Sequence, residues 1–124
     1  MTVDRIVVEG LGRLPQFAHA AVAGDVVYVS GTLGTTEGLT LAEGIAAQTR
    51  QTLENMGRIL EAAGASWDDV AKVSVYLADM VEFGAMNESY GEFFEATPPA
   101  RITIGGVDLA LGARVEMECI AHRP

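Results

Sequence analysis

The chain has 124 residues, of which 49% are hydrophobic and 20% charged, a balance that specifies one folded domain over residues 1–124 and excludes a disordered chain. Eight Lys and Arg against 17 Asp and Glu leave a net charge of −9, a field that repels phosphate backbones and weighs against broad nucleic-acid binding. The single cysteine, Cys119, rules out an internal disulfide framework and any multi-cysteine metal cluster. No signal-like start and no apolar run of membrane-spanning length occurs, so the expected setting is cytoplasmic, with no membrane partner.

Arg5–Glu9 contains Ile6-Val7-Val8 and predicts a first strand, ended by Gly10 and Gly12. Leu14 to His19 is an irregular approach in which Pro15 opposes helix. Ala20–Val22 predicts a second strand, followed by the turn signal Gly24-Asp25. Val26–Ser30 is β-branched and aromatic, a buried strand stopped at Gly31. Ser30 and Gly31 therefore stand at a strand end, either a plain terminus or a place where backbone groups come free for a ligand.

Gly34–Leu39 reads as a polar loop. Thr40-Leu41-Ala42-Glu43 has the spacing of a capping box and predicts a helix over Leu41–Ala63 with Gly64 as its terminator. Its apolar residues, Ile45, Leu53, Met56, Ile59 or Leu60 and Ala63, recur at helical spacing and mark a core-facing stripe. Ser66–Asp69 is a capped turn that tucks Trp67 against the helix end. Val70–Ala78 alternates Val73, Val75 and Leu77 with Lys72, Ser74 and Tyr76, the period of a half-buried strand. Asp79–Glu82 is a second capping-box candidate, opening a helix that packs Phe83, Met86, Tyr90 and Phe93 or Phe94 onto a sheet, with Asn87 beside that face.

Pro98 and Pro99 stop this helix. Ala100-Arg101-Ile102-Thr103-Ile104 then forms a strand with Arg101 and Thr103 on one side and Ile102 and Ile104 on the other. The last strand, Ala113–His122, puts Val115, Met117, Cys119 and Ala121 on one face and Glu116, Glu118 and Ile120 on the other. Two helices alternating with strands predict an α+β two-layer sandwich, a mixed β-sheet with two helices on one face. The opposite face, assigned Ser74, Tyr76, Thr103, Glu116 and Glu118, lacks a covering helix. Pairing with further copies of the chain would cover it.

Chemistry-bearing candidates are few. Arg101 presents a planar fork suited to a carboxylate or phosphate, or it pairs with a neighbouring acid. Glu116 and Glu118 share a strand face, where each is a functional carboxylate or a solvated one. His19 and His122 lack a third ligand at metal-binding spacing, and neither a nucleophile elbow nor a P-loop is present. Cys119 falls on the apolar face of its strand and reads as buried and inert.

Five stretches carry a resemblance: Ser30-Gly31, Gln48–Val70 (Q-T-R-Q-T-L-E-N-M-G-R-I-L-E-A-A-G-A-S-W-D-D-V), Asn87–Phe94 (N-E-S-Y-G-E-F-F), Pro98–Arg101 (P-P-A-R) and Val115–Ala121 (V-E-M-E-C-I-A). In this order they resemble the Rid family of reactive intermediate/imine deaminases, also called the YjgF family, from about Phe17 to Ala121. The resemblance implies a chorismate-mutase-like sandwich assembled as a homotrimer with ligand clefts between subunits. It implies hydrolysis of enamines and imines such as 2-aminoacrylate to 2-keto acids and ammonia, without cofactor or metal. Arg101 then matches the arginine that clamps the substrate carboxylate, and Glu116 the glutamate that positions the attacking water. Ser30, Gly31 and Asn87 match positions lining or supporting the cleft. Two substrate-binding positions depart from the family pattern: Phe17 stands for a tyrosine and Thr103 for a cysteine. Phe17 makes the pocket more apolar and favours larger or less polar substrates. The alternatives are a specialised relative acting on an aminomuconate-like or biosynthetic intermediate, and a non-catalytic module that binds small carboxylates. An endoribonuclease, a label also used for the family, would need a basic groove.

Overall fold

The computed structural model describes residues 2–124, and its architecture follows from strands whose apolar residues fall on one face. In chain order the elements are β1 (Asp4–Ile6), β2 (Ala20–Ala23), β3 (Val26–Leu33), β4 (Thr35–Glu37), β5 (Thr40–Leu41), α1 (Ile45–Ala62), β6 (Val70–Leu77), α2 (Phe83–Phe93), β7 (Ala100–Ile104) and β8 (Val115–His122). Six strands form one sheet in the order β1-β2-β3-β8-β6-β7, and β4 and β5 make a separate hairpin. All neighbours in the large sheet run antiparallel except β6 and β7, which are parallel. Helix α2 supplies the crossover that a parallel pair requires. The sheet is mixed and both helices join its core, as the α+β reading predicts.

The core is built from alternate strand residues and the stripe of α1. Val27 and Val29 of β3, Val73, Val75 and Leu77 of β6, and Val115, Met117, Cys119 and Ala121 of β8 are buried against Leu53, Met56, Ile59 and Leu60. From α2, Met86 and Tyr90 enter the same core, whereas Phe83 stays 37% exposed. Trp67 meets Phe93 and Phe94 edge-on, with ring centroids 5.7 and 5.2 Å away, so it closes the end of α2 as well as α1.

Helix α1 ends as its sequence predicts. Gly64 adopts φ 83°, its N–H donates to Glu61 O at 3.0 Å, and the Ala65 N–H donates to Leu60 O at 2.9 Å. This is the Schellman arrangement, for which glycine is suited because it has no Cβ to clash. The N-terminus corrects the sequence reading. Thr40 lies in β5, and the helix starts at Ile45 after Gly44 (φ 86°), with no side-chain cap. The segment Gly34–Leu39, read as loop, contains β4 and leads into the β4–β5 hairpin. Tertiary bonds decide this: buried Asn55 of α1 donates to Leu33 O at 3.0 Å and to Thr35 O at 2.9 Å.

Three further expectations change. The first strand is shorter, Asp4–Ile6, because the Val8 N–H donates to His19 Nδ1 at 2.9 Å rather than to a strand. Strand β3 does not stop at Gly31; it continues to Leu33 through a register shift between Val29 and Thr32. Thr103 does not belong to the uncovered face. Its partner in β6 is Val75, a core residue, so Arg101 and Thr103 point to the helix side. The uncovered face instead presents Tyr28, Ile102, Ile104 and Ile120, each between 40% and 49% exposed, together with Tyr76, Glu116 and Glu118.

Candidate functional site

The bulge in β3 opens the sheet where Ser30 and Gly31 stand, and it faces Glu116 of β8. A Cβ on Gly31 would overlap Glu116 Oε2, so glycine lets the carboxylate lie against this backbone. Such close approach is a recurrent use of glycine inside a bulged strand. Ser30 donates its hydroxyl to Ala18 O at 2.6 Å, and Thr32 donates to Ser30 O at 2.8 Å. The first bond ties the bulge to the irregular segment before β2, and the second closes within the bulge itself. His19 is buried beneath it as the tautomer that accepts from the Val8 N–H and donates Nε2–H to Gly12 O at 3.2 Å. It is a structural histidine.

The resulting pocket encloses about 180 Å³ and brings Phe17, Ser30, Gly31 and Glu116 together. It also draws in Leu11, Leu14, Leu33, Leu39, Asn55 and Leu111, to which the sequence reading gives no ligand role. Their signal in the sequence is faint: Leu14 and Leu111 are apolar residues in segments broken by Pro15 and Gly112. Burial raises the Glu116 carboxyl above the ordinary carboxylate range, and the neighbouring Glu118 charge adds to that rise. Desolvation disfavours the anion, so Glu116 is a stronger base than a solvated glutamate. Glu118 itself accepts a hydrogen bond from Tyr76 Oη at 2.5 Å.

Arg101, Thr103 and Asn87 lie elsewhere. Arg101 points to the helix side of the edge strand β7, with β6 between it and β8. Its guanidinium stands 4.7 Å above the Tyr90 ring and 5.6 Å from that of Phe83. Such stacking orients the cation while leaving its edge free. It makes no ion pair among the described residues, which removes the reading of Arg101 as half of an internal salt bridge. Tyr90 is buried, which pushes its hydroxyl up to about 12 against the opposing pull of Arg101. Asn87 is exposed on α2, outside the pocket. Thr103 follows Arg101 on the same side of β7.

Cys119 is buried, and burial pushes its thiol up to about 12, which fits an inert core residue. His122 is exposed and lies 3.2 Å from Asp25. Among the described residues, no group of His, Cys, Asp and Glu is arranged to hold a metal ion. No helix of the described residues is long and apolar enough to cross a membrane.

Residues 11–123 match the family model described as Endoribonuclease L-PSP. Over 110 residues the chain is 41% identical to "Reactive Intermediate Deaminase A, chloroplastic" of Arabidopsis thaliana, a match covering 87% of this chain and 59% of that relative. It is 35% identical over 112 residues to the human "2-iminobutanoate/2-iminopropanoate deaminase", covering 89% and 82%. The crystal structure of YEO7_yeast, from yeast, superposes with a TM-score of 0.93 at 32% identity, covering 99% of this chain and 100% of the other.

Proposed function

Because the chain belongs to the Endoribonuclease L-PSP family, which is the Rid (YjgF) family, we propose that it is an imine/enamine deaminase that hydrolyses 2-enamino and 2-imino acids such as 2-aminoacrylate. The observation that carries this reading is the half-buried Glu116 with its raised pKa, held against Gly31 in an otherwise apolar pocket.

In the proposed reaction, an enamine first becomes the imine as a proton moves from its nitrogen to the terminal carbon; water oxygen then adds to the imine carbon while the C=N π pair moves onto nitrogen. Glu116 accepts a proton from that water and delivers it to the nitrogen. The carbinolamine then collapses: Glu116 carries the hydroxyl proton to the nitrogen, the C–N bond breaks, a C=O bond forms, and ammonia leaves with a 2-keto acid. An imine carbon is already electrophilic, so orientation of one water and one proton relay suffices. Arg101 clamps the substrate carboxylate, and its stack on Tyr90 and Phe83 presets the fork.

Glu116 and Arg101 occupy opposite faces of the sheet within one chain. One copy therefore cannot place both on a single small substrate. A second copy, docked through the uncovered face, supplies Arg101 to the pocket of the first, and a closed homotrimer repeats that cleft at each junction. Thr103 and Asn87 belong to the Arg101 half of the cleft, and Phe17, Ser30 and Gly31 to the Glu116 half. The partner is thus a small carboxylate substrate, with neither cofactor nor metal needed for the proton relay. The charge of −9 weighs against RNA as a substrate, and a cytoplasmic setting fits the lone buried cysteine.

The test is clearance of 2-iminopropanoate formed in situ by a serine dehydratase. Wild-type protein should accelerate it, and Arg101→Ala should abolish the acceleration. No acceleration by folded wild-type protein would overturn the assignment.

A further inference from the structure

Four large apolar residues that solvent reaches, Leu14, Phe17, Leu39 and Leu111, converge from three segments on the pocket that holds Glu116. Leu111 is the one non-glycine residue with positive φ among the described residues, at φ 61° and ψ 14°. A branched side chain avoids that left-handed region. Its neighbour Gly112, at φ 71°, could take such a conformation freely. A leucine held there, 53% exposed at the pocket rim, is a strained residue beside the Glu116 pocket, and strain of this kind clusters at functional sites.

Several polar groups around the pocket already have partners within the chain. Arg13 donates to Phe17 O at 3.0 Å and to Leu14 O at 3.4 Å, so it braces the rim segment. Ser30, His19 and Asn55 spend their donors on backbone carbonyls. Within one chain Glu116 is the carboxylate that faces the pocket, and apart from Arg13, the threonines Thr32 and Thr35 and the groups just named the lining is largely apolar; in the proposed cleft Arg101 of a second copy joins it.

We propose that this pocket selects 2-imino acids carrying a branched aliphatic or aromatic side chain, with Leu111, Leu14 and Phe17 as the specificity-determining wall. The inference rests on the imine-hydrolase reading above and narrows its substrate class. Size agrees: a cavity of about 150 Å³ admits benzene, and this one encloses about 180 Å³. A methyl side chain would leave the leucines facing water. Each buried methylene adds roughly fourfold to binding, so an isobutyl group, three carbons larger than methyl, carries a preference on the order of tenfold or more.

An L-amino-acid oxidase acting on alanine, leucine or phenylalanine supplies the three imines in situ, and trapping by semicarbazide reports how fast each is cleared. Calorimetric titration with pyruvate and 4-methyl-2-oxopentanoate reports binding independently of turnover. The expected result is kcat/KM at least tenfold higher for the leucine- and phenylalanine-derived imines than for the alanine-derived one. In Leu111→Gly, which relieves the backbone strain and so folds, that ratio should fall about tenfold, and Leu14→Ala should lower it in the same direction. Equal or better use of the alanine-derived imine would overturn the proposal and leave the deaminase reading standing. No turnover of any imine, with tighter binding of 4-methyl-2-oxopentanoate than of pyruvate, would overturn the deaminase reading while supporting the apolar pocket. No turnover and no such binding preference would overturn both.

Discussion

Glu116 gains its basicity from its surroundings: burial first, and the Glu118 charge second, raise its carboxyl above the ordinary range. If it acts as the base, activity needs its anion, and the acid limb of kcat/KM lies above the pH at which a solvated glutamate ionises. Glu118→Gln removes a negative neighbour, makes the Glu116 anion easier to form, and should shift that limb to lower pH. The limb should still lie above the ordinary carboxylate value, because burial persists. A pH–rate profile of both proteins checks the sign, and an upward shift would contradict it. The variant can still accept the Tyr76 hydroxyl through its amide oxygen, so the change is electrostatic. Glu116, Arg101, Phe17, Ser30 and Gly31 were all legible as candidates in the sequence. Leu111 was not, because its significance lies in a backbone angle and a tertiary location.

At the scale of elements, α1 does more than bury a stripe. Four polar residues on it, Gln48, Thr49, Thr52 and Asn55, are buried, and two of them hold neighbouring chain in place. Gln48 donates to Ala42 O at 3.0 Å and accepts from the Arg114 N–H at 2.9 Å. Asn55 fixes the β3–β4 junction through the carbonyls of Leu33 and Thr35. Asn55→Ala strands both carbonyls, and chemical denaturation should show a loss of about 1–3 kcal/mol. A change within 0.5 kcal/mol, the usual size for an uninvolved surface site, would show that water replaces the amide. The helix and its glycine stop follow from local periodicity. Its start, and the β4–β5 hairpin before it, do not: the Thr40–Glu43 pattern is a sound cap locally, but non-local bonds from Gln48 and Asn55 hold that segment extended.

For the whole molecule, the uncovered sheet face is the feature a single copy leaves unresolved. Tyr28, Ile102, Ile104 and Ile120 form an apolar face across the inner strands β3 and β8 and the edge strand β7. The proposed trimer buries it and joins the two halves of the site. Ile102→Asp places a charge on that face without touching the core. Sedimentation velocity should then show smaller species than the wild type, and imine turnover should fall with the assembly. A monomeric wild-type protein that clears imines would refute the shared cleft.

The sequence by itself determined the α+β class, the core stripe of α1 and its stop at Gly64, the buried faces of β6 and β8, and the family, since all of these are written in short-range patterns. Tertiary structure alone decided that β3 runs past Gly31, that Arg101 and Thr103 face the helices, and that Leu111 joins Leu14 and Phe17 at one rim. The reason is geometric. Periodicity tells a strand which residues share a side, but only pairing with a neighbour, here Thr103 beside Val75, says which side faces the core.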